Sequence, residues 1–489
     1  MEYMNLKRDP AKKQVSVYVE GIGTVDYAQD QEDAGIPRAA VSNDDQDGYA
    51  FGTGPTGIYD RVTKGINEAK KQINRKEKPI IYSPKFDRIE KIVVDVVGFS
   101  RGAAGARHFV SRREALQKDW TGGERPEIVI NFVGLYDTVS SYEKTGTLVG
   151  NSLDKLTAGS FEGGIFDDDV KELGLNMGGI PWRVVHLTAS DEYRTNFSLT
   201  TINTSLAANV GFELELPGVH SDVGGSYVEP DPNNPTMDLK LRAKDDPTLL
   251  QGIRDLNKEV RRIRSDLHKQ WLIAQGWYKP EQFEPWKPVT FVKSHKIPGL
   301  EVRTPEIAYR EGDNGVRYLT NEYQYVALFI MLDFAQYGAG RPGGKAHLKL
   351  EFESLGLAKN TRYRVPAALV SLRDEFLAEA VRLTGSRQHE RVSLLTTAAR
   401  FDTLRWLRNH YLHRSARLPT EGKAYLGMDG NLNQRRTIIA DNVLVDKYST
   451  RAVNEAQRRA EQLKRLPGQV KQSIEQGVRH KLDELRKLF

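Results

Sequence analysis

The chain has 489 residues, 39% hydrophobic and 28% charged, a balance that excludes a wholly disordered polypeptide and leaves room for two or three domains or one large decorated one. It contains no cysteine, which excludes disulfides, thiolate metal sites and thiol catalysis. The net charge is +6, but residues 451–489 hold ten Lys and Arg against five Asp and Glu, so the basic character belongs to a tail and not to a nucleic-acid-binding fold.

Met1 to Lys13 is polar and charged and does not read as a signal peptide. Gln14 to Val19 alternates as a first strand should and runs into Glu20-Gly21-Ile22-Gly23-Thr24, where backbone N–H groups can turn toward a site. Asp26 to Asp47 is a polar surface loop. Gly52 to Gly57 formally matches G-x-G-x-x-G, but it follows Asp-rich sequence and not a strand. It also places Pro55 where a phosphate loop needs an N–H, so it is not read as a dinucleotide site. Ile58, Val62, Ile66 and Ala69 then fall at helical spacing.

Ile92 to Gly102 is the stretch that organises the rest. A β-branched apolar run enters Gly98-Phe99-Ser100-Arg101-Gly102, a G-x-S-x-G, and small residues open a helix through Val110. Strand, tight turn and helix are the context of a nucleophile elbow, in which a strained backbone projects a serine hydroxyl from the top of a sheet. Glycines at both flanks, Gly98 and Gly102, let strand and helix approach. The competing reading is an ordinary Gly-rich strand-to-helix turn.

Three more apolar strands follow. Glu127 to Leu135 ends in Tyr136-Asp137-Thr138, Trp182 to Ala189 in Ser190-Asp191-Glu192, and Phe212 to Leu216 in Pro217-Gly218-Val219-His220-Ser221-Asp222-Val223-Gly224-Gly225. Strands alternating with helices predict an α/β fold with a mostly parallel sheet and helices on both faces, its ligand at the carboxyl ends of the strands. Those ends deliver glycines, a serine, an aspartate and a histidine, in the chain order of α/β-hydrolases.

Each group is needed. A serine hydroxyl is a weak nucleophile without a base, a histidine can take and return its proton, and a carboxylate fixes the imidazole tautomer. Ser100 is the candidate nucleophile and His220 the base. The orienter is Asp137 or Asp191, each at a strand end. The oxyanion donors are the N–H of Arg101 and one from Gly21, Ile22 or Gly23. Asp222 supports the His220 loop. A His220–Asp222 metal pair lacks a third ligand nearby, so neither metal nor cofactor is expected.

Beyond residue 230, Pro- and Asn-rich sequence breaks the pattern, and a charged helix is predicted over Leu249 to Gln275. Tyr325 to Phe334 reads as a buried helix. A further helix after Pro366 faces Leu369, Leu372, Phe376 and Ala380 inward, and Phe401 to Tyr411 does so with Leu404, Leu407 and Tyr411. The expected organisation is a catalytic core over 14–230, a helical, lid-like insertion over 231–345, a helical remainder over 346–440 and a basic amphipathic helical tail over 441–489. The longest apolar run, Val326 to Leu332, is too short to span a bilayer.

The elbow Gly98 to Ala103, the strand end Gly134 to Val139 and the His loop Pro217 to Gly225 together resemble the type VI secretion lipase effector family Tle1. His186 to Arg194 and Tyr411 to Ser415 resemble further stretches of that family. The likeness covers roughly 14–440. It implies an α/β-hydrolase phospholipase of A1/A2 type acting through Ser100, Asp137 and His220, with Asp191 in a supporting motif. It also implies synthesis in the cytoplasm, secretion without a signal peptide on the VgrG spike, action on membrane phospholipid in the periplasm of rival bacteria, and a cognate immunity protein. One departure is the turn Val19 to Thr24, where many relatives carry a Phe-Asp-Gly-Thr-like sequence; it leaves the second oxyanion donor open. Two readings compete with it: a serine esterase for another ester, and a non-catalytic hydrolase-fold interaction module.

Overall fold

The computed structural model describes residues 15–22, 57–73, 89–117, 125–140, 170–194, 197–227, 236–240, 269–285, 289–297, 300–308, 313–336, 364–386, 389–393, 401–415, 436 and 438–442. Its central element is a five-stranded sheet with every pair parallel. In spatial order the strands are β1 (Lys91–Phe99), β2 (Glu127–Tyr136), β3 (Arg183–Ala189), β5 (Gly211–Leu216) and β11 (Arg391–Ser393). Helix α1 (Ile58–Ile73) and the elbow helix α2 (Arg101–Ser111) cover one face. Helices α4 (Gln324–Gln336) and α5 (Ala367–Ser386) cover the other. The short helix α3 (His220–Gly224) follows β5, and α6 (Phe401–His410) packs Leu407 into the second face's core.

The pattern of β2 shows how the two faces are filled. Ile128 and Ile130 face the α1/α2 side, yet so do Val133 and Leu135, while Phe132 and Tyr136 face α4. A period of two cannot give that without an inserted residue. The register slips between Val94 and Asp95, leaving Asn131 as the extra residue, and its amide donates to Asp95 at 2.7 Å. The bulge sets which side chains reach the carboxyl end of the strand on each face.

Several expectations meet a different structure. Residues 15–20 carry no strand pairing; Val19 packs against α1, where a Cβ on Gly65 would touch it at 2.9 Å. The segment expected as a helical insertion carries strands. Thr236–Lys240 (β6) and Phe283–Pro285 (β7) flank Asp313–Arg317 (β10) antiparallel, and Val289–Ile297 (β8) pairs antiparallel with Leu300–Ala308 (β9). Of the predicted 249–275 helix only 269–275 lies among the described residues, helical over 269–274 and turning at Gln275. The helices after Gln324 and Ala367 form as read, with Leu369, Leu372, Phe376 and Ala380 buried. On α6, Leu407 is buried but Leu404 and Tyr411 are only half-buried. The Asp26–Asp47 loop and the 451–489 tail lie outside the described residues.

A last strand, β12 (Ile438–Ile439), pairs parallel with β4 (Leu199–Thr200). Asp441 anchors this segment in a fully buried ion pair with Arg107 of α2, at 3.1 Å. Arg107 also donates to the carbonyls of Leu175, Thr200 and Thr201, and Asp441 accepts from the N–H and hydroxyl of Thr204.

Candidate active site

Ser100 sits between β1 and α2 with φ 60° and ψ −128°, a conformation few non-glycine residues hold unless their surroundings enforce it. The enforcement is visible. Its N–H donates to the Tyr136 carbonyl at 2.9 Å, and its own carbonyl accepts from Ala103, Ala104 and Val139. The two glycines differ. A Cβ on Gly98 would run into the backbone of Gly102, so Gly98 carries the close approach. A Cβ on Gly102 would meet nothing within 4 Å, so the expected steric role does not extend to it.

Asp137 ends β2, also at positive φ (46°), with its N–H donated to the Leu187 carbonyl at 2.8 Å. Its Oδ2 lies 2.5 Å from His220 Nδ1, and its Oδ1 accepts the Ala189 N–H at 2.9 Å. An Nδ1–H donated to Asp137 leaves the Nε2 lone pair as the proton acceptor. His220 is expected in a loop but opens α3, whose close packing requires Gly224: a Cβ there would overlap the Phe99 ring. Phe99, the residue before Ser100, lies against the imidazole with centroids 4.5 Å apart, and Phe197 meets the ring edge-on at 4.8 Å. Asp137 and His220 are almost fully buried, and Ser100 is half-buried at the rim.

Asp191 does not reach the imidazole. It accepts the Gly218 N–H at 2.9 Å, the Tyr193 hydroxyl at 3.1 Å and Arg408 at 2.7 Å, which ties the loop before His220 to β3 and α6. A polar cleft lined by Asp191, Pro217, Ser393 and Arg408 lies beside it and includes neither Ser100 nor His220. Asp222 accepts the Val219 N–H at 3.0 Å and pairs with His413 at 2.7 Å, so it braces α3. Tyr227 stacks on that His413 ring at 3.5 Å. His186 spends both ring nitrogens on structural bonds. Its Nε2 accepts the Thr138 N–H at 3.0 Å and its Nδ1 bonds Glu213, which fixes the peptide after Asp137.

Three residues that the sequence did not single out surround the pair. Arg436 donates to both oxygens of Asp137, at 2.6 and 2.8 Å. Glu192 is fully buried, accepts the His220 N–H at 3.2 Å and binds Arg194 through two oxygens at 2.9 Å. Arg194 in turn lies 3.4 Å over the Phe197 ring. The likeness across His186 to Arg194 pointed to this loop; no local signal marks Arg436.

Burial alone would raise the Asp137 carboxyl, but the Arg436 guanidinium and the His220 bond overcome it and hold the group well below the usual carboxylate range. Burial lowers His220 below its ordinary value despite the opposing bond from Asp137, so the imidazole is neutral at neutral pH. Glu192 is held down by Arg194 against burial. Burial raises Asp222 against the opposing His413.

Ile22 packs with Ile58 and with Ala104 of α2, which brings the Gly21–Ile22 turn against the elbow helix; Arg101 is that helix's first residue. Among the described residues no group of three or more His, Asp or Glu is placed to hold a metal ion.

The fold defines an α/β protein in which Ser100, Asp137 and His220 each follow a strand at the carboxyl end of a parallel sheet, with Asp137 and His220 bonded to one another. Residues 110–243, which hold Asp137 and His220, match the family model described as the catalytic domain of Tle1-like phospholipase effectors of the type VI secretion system. No curated protein matches the chain. A solved structure of the Tle1 effector bound to the VgrG spike aligns at 23% identity over 80% of this chain and 76% of that one, with a TM-score of 0.48. An uncharacterized protein from Pseudomonas aeruginosa aligns at 22% identity over 35% of this chain and 24% of that one, with a TM-score of 0.20.

Proposed function

We propose that this chain is an antibacterial phospholipase of A1/A2 type, a type VI effector that hydrolyses acyl esters of membrane glycerophospholipids through Ser100, His220 and Asp137. The observation that carries the reading is the match of residues 110–243 to the catalytic domain of phospholipase effectors. The 2.5 Å bond from His220 to Asp137, beside the strained Ser100, supports the serine mechanism.

In this mechanism His220 Nε2 takes the Ser100 hydroxyl proton as Oγ attacks the acyl carbonyl carbon. The tetrahedral oxyanion forms against the N–H of Arg101 and that of Gly21 or Ile22. Collapse breaks the bond to the glycerol oxygen, which leaves as the lysophospholipid alcohol with the proton His220 returns. Water, deprotonated by the same imidazole, then attacks the acyl-enzyme and releases the fatty acid. Asp137 stays ionised throughout and stabilises the imidazolium. Delivery on a VgrG spike, neutralisation by an immunity protein and action in the target periplasm belong to the same proposal. Among the described residues no helix is long and apolar enough to cross a membrane.

The test is a phospholipid carrying distinct labels at sn-1 and sn-2, given to wild type and Ser100→Ala. Wild type is expected to release one label first, and the variant to lose at least about 10³-fold in rate. Equal rates would remove Ser100 from the mechanism. A folded wild type that cleaves only small or carbohydrate esters would replace the phospholipase with another esterase. One that cleaves nothing would favour an interaction module.

A further inference from the structure

We propose that Arg436 is a positioning residue of this triad, clamping both oxygens of Asp137 from a strap near the far end of the described chain; the inference rests on the catalytic reading of Ser100, Asp137 and His220. Asp137 and Arg436 are 299 positions apart in sequence. The guanidinium uses every nitrogen against a rigid neighbour. Nη1 and Nη2 take the two Asp137 oxygens at 2.6 and 2.8 Å, Nη1 also reaches the Ala189 carbonyl at 3.3 Å, and Nε donates to the Phe197 carbonyl at 2.7 Å. One planar fork therefore ties the carboxylate to the end of β3 and to the residue whose ring edges the imidazole. Lysine, a point charge, cannot reproduce that geometry.

The strap is built to hold the fork in place. Two residues after Arg436, β12 pairs with β4, and the Ile439 carbonyl accepts the Thr201 N–H at 2.9 Å. Beyond it, Asp441 closes the buried pair with Arg107 on the elbow helix. Both ends of the triad, Ser100 through α2 and Asp137 through Arg436, are thus fastened to one short segment.

The clamp has a chemical consequence beyond anchorage. A cation on Asp137 keeps the carboxylate ionised, and it also opposes the gain of a proton by His220. The other charged groups facing His220 are Asp137 at the end of β2 and Glu192 after β3, the latter already bound by Arg194. Removing Arg436 therefore leaves two carboxylates and only one distant cation about the imidazole, and its basicity rises. His220 would then be protonated at a pH where wild type is neutral and able to act as base.

The experiment uses the full chain carrying Arg436→Gln or Arg436→Lys. The pH dependence of kcat and KM on phospholipid is measured, and the His220 imidazole is titrated by NMR with His220→Gln assigning its signal. Arg436→Gln is expected to lower kcat about 10- to 100-fold with KM little changed. It should also move the His220 titration, and with it the acid limb of kcat, up by about one pH unit. Arg436→Lys should keep the wild-type titration and recover only part of kcat. A His220 titration in Arg436→Gln that coincides with wild type overturns the proposal, whatever the rate. If Arg436→Gln does not fold, Arg436→Lys decides, and full wild-type kcat in that variant overturns it. A wild type whose His220 titrates but which turns over no phospholipid sinks the phospholipase reading alone, since the NMR shift still judges Arg436.

Discussion

At the residue scale, the site is organised around two residues whose backbones adopt conformations they would not choose unaided. Ser100 and Asp137 both hold positive φ, each at a cost of order 1–3 kcal/mol. Neighbouring hydrogen bonds and one glycine hold them there. The elbow glycines should therefore separate experimentally. Gly98→Ala is expected to lower Tm by several degrees because its Cβ meets the Gly102 backbone. Gly102→Ala, opening into space inside a helix, should leave Tm unchanged or slightly raised. Thermal melts of the two variants check this. Glu192→Gln should also destabilise. It weakens the partner of the half-buried Arg194 and of the buried His220 N–H, with a loss of about 1–3 kcal/mol expected in denaturant unfolding. Ser100, His220 and both candidate aspartates were legible because each follows an apolar strand, where turn residues punctuate the sequence. Strand reading alone left Asp137 and Asp191 open, the family likeness favoured Asp137, and it is Asp137 that meets His220, through a contact across β2 and α3 that no local pattern displays. Arg436 had no local mark at all. It is one arginine in a polar stretch, and only the folded chain reveals what it touches.

Among elements, the parallel core was the easiest part to read, since near-continuous apolar runs are what strands covered on both faces require. The bulge at Asn131 was not legible, because a period shift by one residue inside such a run changes no residue type. The insertion was misread for the opposite reason. Val289-Thr290-Phe291-Val292 is β-branched and aromatic and could have been taken as a strand, but charged residues interleaved beyond it hid the pairing. The strap gives the sharpest prediction at this scale. Asp441→Ala removes the buried carboxylate that Arg107 and Thr204 share and should cost about 1–3 kcal/mol in denaturant unfolding. It should also lower kcat, because the strap that carries Arg436 loosens. Unfolding and turnover measured on one preparation separate the two effects, and a variant as stable as wild type would show that the pair does not anchor the strap.

For the whole molecule, the perturbed groups set a pH window of stability. Burial holds His220 and His108 below their ordinary value. As pH falls through about 6.5, the unfolded chain binds protons there that the folded chain does not, so stability drops. Asp137, Glu192 and Glu213 are lowered, each against its burial, by basic partners. Their contribution is present above about pH 4 and is lost as pH falls further. Asp222, raised by burial, works the other way: the folded chain takes up its proton first, above about pH 4, which offsets part of the earlier decline. The urea midpoint should therefore decline in two stages on acidification, beginning near pH 6.5. A midpoint constant from pH 7 to 5 would contradict the assignment of neutral buried histidines.

The distance in sequence between Asp137 and its clamp also sets an order of events during synthesis. A ribosome adding about 5–20 residues per second leaves an interval of about 15–60 s between the emergence of Asp137 and that of Arg436. In that interval the parallel sheet, the elbow and the His220 helix can assemble, yet the carboxylate has no fork to hold it. Until Arg436 has emerged, Asp137 and His220 can meet without the clamp, so a fragment that stops short of Arg436 would carry the pair but not the fork that fixes its geometry.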